Sequence, residues 1–150
     1  ALVMGGFFIY FNYIESSPSF TYTQFETLET LGYPEQFAIT YLEQGEVENR
    51  LVRQEVWFYP TKGQKLSFIQ GELVLAEDME VQPDYPQTSL TPDMFDIYSD
   101  LDDIKKWVGD INLAQVELPV FNDEGVETYM SGEAVFVFEQ GYLTYVETIN

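Results

Sequence analysis

The feature that most constrains the fold of this chain is a short pattern that occurs twice. Residues 66–77 and 136–147 share Phe, Gln, Gly, Leu and a final Glu in register, at an offset of 138 − 68 = 70 positions. In each copy an apolar stretch rich in β-forming residues is followed by Gln-Gly and a second such stretch, which predicts a tight β-hairpin. We therefore expect two copies of one folding unit, each ending in this hairpin.

The first copy is predicted to begin with a pair of helices. Ser17 with Pro18 starts one helical turn, and Thr23 with Glu26 forms a capping box for the next, which stops at Gly32. The apolar face of this second helix consists of Phe25, Leu28 and Leu31. Strands are expected to follow at residues 37–42 and 51–59 and in the hairpin at 66–77.

The second copy repeats this order. Thr91 with Pro92 starts the helical part, Ser99 with Asp102 forms the capping box, and Gly109 ends the helix. The apolar face consists of Leu101, Ile104 and Trp107, and strands are expected at residues 114–121, 126–130, 134–139 and 142–147. We predict an α+β protein of two tandem repeats, at 15–78 and 91–150, each with a helix pair and an antiparallel sheet of about four strands. An acidic, proline-containing linker at 79–90 joins them.

Residues 1–14 carry no charged side chain. A helix of that length rises about 21 Å, which is short of the roughly 30 Å hydrocarbon core, so the segment is interpreted as the outer end of a transmembrane helix that starts upstream. The membrane contacts would be Leu2, Val3, Phe7, Phe8, Ile9 and Phe11. The first basic residue is Arg50, so the positive-inside tendency puts the domain on the extracytoplasmic side, periplasmic or extracellular. The alternative is that residues 1–14 are buried in the folded domain.

The charge of the chain limits its partners. It has 26 acidic and six basic residues, a net charge of −20, which repels phosphate backbones and makes nucleic acid an unsuitable partner. A basic protein partner or bound cations fit better, and solubility alone is also a sufficient reason for the charge. There is no Cys and no His, which removes thiol catalysis, histidine bases and nearly all zinc, copper and haem sites. We therefore expect no cofactor and no metal site.

Carboxylates alone do not point to an enzyme. Five aspartates crowd one region: Asp93, Asp96, Asp100, Asp102 and Asp103. The calcium-loop pattern fails there because Ile104 stands where a third oxygen ligand is needed. This region is interpreted as a solvated acidic face, no spacing selects a catalytic pair of acids, and the chain is predicted not to be an enzyme.

Two aromatic strands suggest a binding surface. Residues 56–59 and 135–138 are apolar at successive positions, so both faces of the sheet must be apolar there. Either the two repeats pack on each other, or the strands are doubly buried, or an exposed aromatic strip binds another protein. In the last case the anchors would be the aromatic residues favoured at interface hot spots: Trp57, Tyr59, Tyr142 and Tyr145.

Three short motifs carry a resemblance to known families. They are residues 31–34 (Leu-Gly-Tyr-Pro), 57–59 (Trp-Phe-Tyr) and 68–73 (Phe-Ile-Gln-Gly-Glu-Leu). Their order resembles the small lipoproteins of the outer-membrane β-barrel assembly machinery (SmpA/OmlA type). Two such units in tandem are similar in architecture to the β-lactamase inhibitor protein, although the chain lacks the lipidation cysteine of the former and the disulfides of the latter. The resemblance implies a non-catalytic protein-binding scaffold.

These observations lead to one expected function and one alternative. The expected function is a membrane-anchored accessory or assembly subunit, which binds another protein of a membrane complex through its acidic extracytoplasmic domain. The alternative is a soluble, inhibitor-like domain that binds a protein or a ligand and holds residues 1–14 in its core.

Overall fold

The computed structural model describes residues 19–43, 51–119 and 123–149. In these ranges the chain forms two α-helices and eight β-strands. In chain order they are α1 (Tyr22–Leu31), β1 (Gln36–Glu43), β2 (Leu51–Tyr59), β3 (Gln64–Ile69), β4 (Glu72–Asp78), α2 (Leu101–Val108), β5 (Ala114–Val116), β6 (Val126–Met130), β7 (Ala134–Glu139) and β8 (Tyr142–Thr148).

All eight described strands belong to one antiparallel sheet, in the order β4-β3-β2-β1-β8-β7-β6-β5. Each half of the chain contributes a helix and a four-stranded meander. The halves meet where β1 pairs with β8, with Ala38 opposite Glu147 and Thr40 opposite Tyr145. Thr148 reinforces this junction, because its hydroxyl accepts a hydrogen bond from the Phe37 amide at 2.9 Å.

The two predicted Gln-Gly hairpins are confirmed. Gln70 and Gln140 both have φ of +52°, and the following Gly71 and Gly141 have φ of +77° and +87°. Two positive φ angles in a two-residue loop match the type I′ turn, whose twist suits antiparallel strands. Both hairpins also carry a register shift at the same place, between Ser67 and Phe68 in one and between residues 137 and 138 in the other.

The predicted fold class is wrong in two respects. Among the described residues each half has one α-helix rather than a helix pair, and the strands of both halves form one continuous sheet. In the second half the expected first helix is only a 3₁₀ turn, Pro92–Met94, because Phe95 is extended and buried between Phe37 and Phe136. The corresponding Ser17-Pro18 turn and the predicted N-terminal hydrophobic helix at 1–14 lie outside the described residues.

Both predicted capping boxes are displaced. The cap of α1 is Thr21 with Gln24, and Thr23 instead donates its hydroxyl hydrogen to Glu72 at 3.1 Å. The helix ends as predicted, with Gly32 at the C-cap and φ of +79°.

The cap of α2 is Asp100 with Asp103, one residue after the predicted position. Ser99 is used in the preceding turn, where its hydroxyl accepts a hydrogen bond from the Asp96 amide at 3.0 Å. Gly109 ends this helix as predicted. Strand β5 stops at Val116, earlier than expected, and residues 120–122 lie outside the described ranges.

The hydrophobic core lies between the sheet and the two helices. Its largest buried side chains are Trp57, Tyr59, Phe37, Phe68, Phe95 and Phe136. The helices contribute Leu28 and Leu31 from α1 and Leu101, Ile104 and Val108 from α2. Phe25 and Trp107, predicted on the apolar faces, are exposed. On α1 the buried face instead includes Gln24, which has a polar partner inside the core.

Residues 79–90, interpreted as a linker, form no helix or strand but are attached to the first half. The amides of Met79 and Gln82 donate to the carbonyls of Gly63 and Pro60, at 2.9 and 2.8 Å. Leu90 is buried in the core. Within the described ranges no helix is long and apolar enough to cross a membrane.

Candidate functional site

The sheet face that points away from α1 and α2 is the candidate site, and we call it the outer face. The strand register defines it, because residues opposite each other share a face: Ala38 with Val56, Thr40 with Tyr145, Val137 with Tyr145, and Glu139 with Tyr142. The core side chains lie at the alternate positions, and the described helices pack on those. Alternation within the strands therefore gives the sheet a second surface, on which neither of the two described helices packs.

The centre of the outer face is apolar. Val56 and Phe58 on β2 and Tyr145 on β8 are half-buried, while Val135 and Val137 on β7 are buried. On the four central strands the described outer-face positions hold two charged side chains, Glu139 and Glu147. For a protein with a net charge of −20, this is a surface with few charges.

One of these two charged side chains, Glu147, is hydrogen-bonded to Tyr145. The Tyr145 hydroxyl donates a hydrogen bond to Glu147 Oε2 at 2.5 Å. Burial raises the pKa of Tyr145 well above its ordinary value, and the hydrogen bond and the negative charge of Glu147 raise it further. The phenol therefore stays neutral at physiological pH and presents its ring and a fixed carboxylate together.

A groove of about 710 Å³ adjoins one end of the outer face, where the two halves of the sheet separate. On the second-half side Leu143 donates its amide hydrogen to the carbonyl of Ile97, at 3.0 Å, instead of pairing with β1. The groove is lined by Tyr41, Leu42, Leu51, Ile97, Tyr98, Glu139, Gln140, Tyr142 and Thr144. Tyr98 and Tyr142 make an edge-to-face contact with ring centres 6.2 Å apart, and they are 72% and 49% exposed.

The four aromatic anchors expected from the sequence are divided by the fold. Trp57 and Tyr59 have 0% exposed surface and belong to the core, so the expectation that they form an exposed strip is wrong. They point toward the helices because they alternate with Val56 and Phe58, which take the outer face. Tyr145 lies at the centre of the outer face, and Tyr142 lies at its end beside the groove. The fold thus brings two of the four to one surface.

A buried ion pair that the sequence analysis missed holds the first half together. Arg53 and Glu55 lie two residues apart on β2 and contact each other at 3.2 Å, Nε to Oε2. Glu55 also accepts hydrogen bonds from Gln24 Nε2 at 2.9 Å and from Trp57 Nε1 at 3.2 Å. The i, i+2 spacing of opposite charges on a strand was the signal that could have revealed this pair.

Arg53 extends the network to the segment between the halves. Its guanidinium donates to the Tyr41 hydroxyl at 2.8 Å and to the carbonyls of Phe95 and Pro92 at 2.6 and 2.7 Å. Burial would lower the pKa of Arg53, but the negative charge of Glu55 and the hydrogen bonds to Glu55 and Tyr41 raise it above its ordinary value. A buried arginine with this many acceptors is a structural group, because its donors are already committed.

The described residues include no group of three or more Asp or Glu side chains close enough to hold a metal ion. The described part of the aspartate-rich region supplies helix caps and surface pairs instead, such as Lys106 with Asp103 at 3.5 Å. Comparisons of the chain with protein-family models, curated proteins and solved structures gave no match.

Proposed function

We propose that this chain is a non-catalytic binding subunit whose outer face contacts another protein. Residues 1–14 hold it at a membrane, and the domain lies on the extracytoplasmic side as part of a membrane complex. The observation that carries the proposal is the outer face itself, an apolar sheet surface with no described helix on it.

The composition of this surface fits a protein interface. Interface cores are depleted of charge and enriched in aromatic residues, and the rim around them is polar. Phe58 and Tyr145 provide aromatic area at the centre, and Tyr98 and Tyr142 provide it at the groove. Because the rest of the chain is strongly acidic, a partner with basic residues around an apolar patch is the best match.

A photo-crosslinking experiment tests the outer face. A benzophenone amino acid replaces Phe58 in one variant and Phe25 in a matched control, because Phe25 is an exposed aromatic on α1, on the opposite side of the sheet. Illumination of native membranes should give a discrete crosslinked product from position 58 and none from position 25. Equal crosslinking from both positions, or from position 25 alone, contradicts the proposal.

A point variant adds a second readout. Phe58→Lys places a charge in the apolar centre and should release the crosslinked partner, while Phe25→Lys should retain it. Both side chains are at least partly exposed, so the melting temperatures should stay close to that of the wild type. Retention of the partner by Phe58→Lys with an unchanged melting temperature would place the contact elsewhere.

The membrane anchor needs its own test, because residues 1–14 lie outside the described ranges. We expect the full chain to remain with membranes after an alkaline carbonate wash, and a chain lacking residues 1–14 to be released with an unchanged melting temperature. A full chain found in the soluble fraction, together with a lower melting temperature after deletion, would favour the soluble inhibitor-like alternative.

A further inference from the structure

Among the described strands, β4 is one edge of the sheet, and its side chains are exposed. All seven of its residues, Glu72–Asp78, are exposed, and Val74 in its middle is 55% exposed. Within the described ranges β4 pairs with β3 on one side and with no strand on the other. An edge with free N–H and C=O groups and exposed apolar side chains is a template for another strand.

In the second half of the molecule the equivalent strand, β8, is paired with another strand at this edge. β8 corresponds to β4 through the 70-residue offset, and both strands carry the register shift after their Gln-Gly turn. On β8, Tyr145–Glu147 pairs with Ala38–Thr40 of β1. The same positions on β4 are Leu75, Ala76 and Glu77. The bulge is therefore compatible with a neighbouring strand, and none of the described strands lies at the equivalent edge of β4.

We propose that the free edge of β4 binds an extended, basic segment of a partner protein by β-strand addition. Backbone hydrogen bonds along residues 75–77 supply the pairing, as at the internal junction of the two halves. Alternate side chains of the added strand then lie on the two faces of the sheet. This inference does not rest on the proposed role of the outer face, because it concerns the border of the sheet.

The charges on β4 specify the partner. Acids stand at both ends of the strand, Glu72 at one and Glu77 with Asp78 at the other, while the centre is apolar. Lys65 is the one basic side chain described as paired with them, at 3.7 Å from Glu77. Opposite charges facing each other across neighbouring strands are favourable and like charges are not. A segment with β-forming residues in its centre and lysine or arginine at both ends therefore fits.

A second copy of this chain is a poor occupant. Antiparallel pairing of two β4 strands about Leu75 puts Glu72 opposite Asp78 of the other copy, and a shift of one residue puts it opposite Glu77. The other edge of the sheet, β5, has only three residues and is followed by Glu117. Each copy also carries a net charge of −20, which opposes association.

A labelled peptide tests the edge of the full chain. The sequence Lys-Lys-Val-Thr-Val-Thr-Lys is written so that antiparallel pairing places its lysines opposite Asp78, Glu77 and Glu72. Fluorescence anisotropy should show saturable binding. Two control peptides should bind at least about tenfold more weakly: one with Glu in place of Lys, because like charges then face each other, and one with Pro in place of Thr, because proline lacks the donor.

Variants locate the binding to β4. Leu75→Lys adds a charge at the centre of the edge and should abolish peptide binding, whereas Tyr98→Lys adds the same charge at a distant, exposed position and should leave it intact. The double variant Glu72→Lys and Asp78→Lys should reverse the preference, so that the Glu-ended peptide binds more tightly than the Lys-ended one.

Four results would overturn the inference. They are no saturable binding by the wild type, equal binding of the proline peptide, an equal effect of Leu75→Lys and Tyr98→Lys, and self-association that Leu75→Lys removes. The last would make a second copy the occupant. Tyr142→Lys separates the two proposals, because Tyr142 lies on the outer face at β8, far from β4 in the strand order. It should weaken the contact with the outer-face partner while leaving the affinity for the peptide unchanged.

Discussion

The two halves of the sheet place the same kind of residue in opposite environments. Glu55 lies opposite Phe68 on β3, and Glu127 lies opposite Phe138 on β7, so they occupy equivalent positions. Glu55 is buried and bonded to Arg53, whereas Glu127 is exposed and accepts a 3.3 Å hydrogen bond from Tyr129. The position equivalent to Arg53 is Gly125, which has no side chain that could pair with Glu127. Glu127 therefore has no arginine beside it of the kind that Glu55 has.

The two Gln-Gly turns differ in the same way. The hydroxyl of Thr21, at the start of α1, donates to the Gly71 carbonyl at 2.6 Å. A side chain at Gly71 would come within 2.1 Å of the Thr21 methyl, while one at Gly141 would meet nothing within 4 Å. The two turns thus have the same backbone conformation. The first is hydrogen-bonded to the start of α1, whereas the second is exposed beside the groove.

The largest difference between the halves should appear at the aromatic positions next to these acids. Trp57→Ala removes a fully buried side chain and should lower the free energy of unfolding by about 3–5 kcal/mol, because it leaves a cavity. Tyr129→Ala, at the equivalent position and partly exposed, should have a clearly smaller effect. Urea unfolding followed by circular dichroism measures both, and equal losses would refute the contrast.

The next effect concerns the acids themselves. Glu55→Gln leaves the buried charge of Arg53 without its partner and should cost about 3–5 kcal/mol of stability. The matched Glu127→Gln should change stability by no more than about 0.5 kcal/mol, because that side chain is exposed. A small effect of Glu55→Gln in the same urea titration would mean that the ion pair contributes little.

The third effect concerns the glycines of the two Gln-Gly turns and their contribution to stability. Gly71→Ala and Gly141→Ala both place a side chain at positive φ, which costs about 1–2 kcal/mol. Gly71→Ala should cost more, because of the Thr21 methyl, and Thr21→Ser should recover part of the extra loss. Thermal unfolding of the two single variants and of the Gly71→Ala, Thr21→Ser double variant provides the measurement. Without any recovery, the close contact is not the cause.

The smallest effect should be alike in both halves. Gln70 and Gln140 have a left-handed conformation that asparagine adopts more readily, and asparagine is favoured at this position of type I′ turns. Gln70→Asn and Gln140→Asn should therefore each raise stability by about 0.5 kcal/mol, measured as a shift in the urea midpoint. A gain at one turn only would show that the contacts around the turn matter more than its φ angle.

The sequence was sufficient for the local parts of this fold. The Gln-Gly hairpins and the glycine ends of both helices follow from turn and cap preferences, which act over a few residues. The capping boxes were displaced because Thr23 and Ser99, both good cap residues, found partners elsewhere, at Glu72 and Asp96. Local patterns give several acceptable starts for a helix, and tertiary contacts select one.

Which residues form the outer face was harder to predict from the sequence. In residues 56–59 every side chain is apolar, so the pattern could not tell which alternate pair faces the helices. The strand register places Trp57 and Tyr59 in the core and Val56 and Phe58 on the outer face. The pairing of β1 with β8 was equally hidden, since no short-range signal relates residues more than 100 positions apart.

That pairing has a consequence for the order in which the molecule is built. Each meander consists of neighbours in sequence and can form early, but β1 has its second neighbour only after β8 has been synthesised. Once β4 is complete at Asp78, the first half therefore presents two open strand edges, β1 and β4, until the ribosome has added the 148 − 78 = 70 residues that complete β8, at about 5–20 per second. For several seconds a nascent chain carries β1 with one edge unpaired, and completion of β8 removes that opportunity for mispairing.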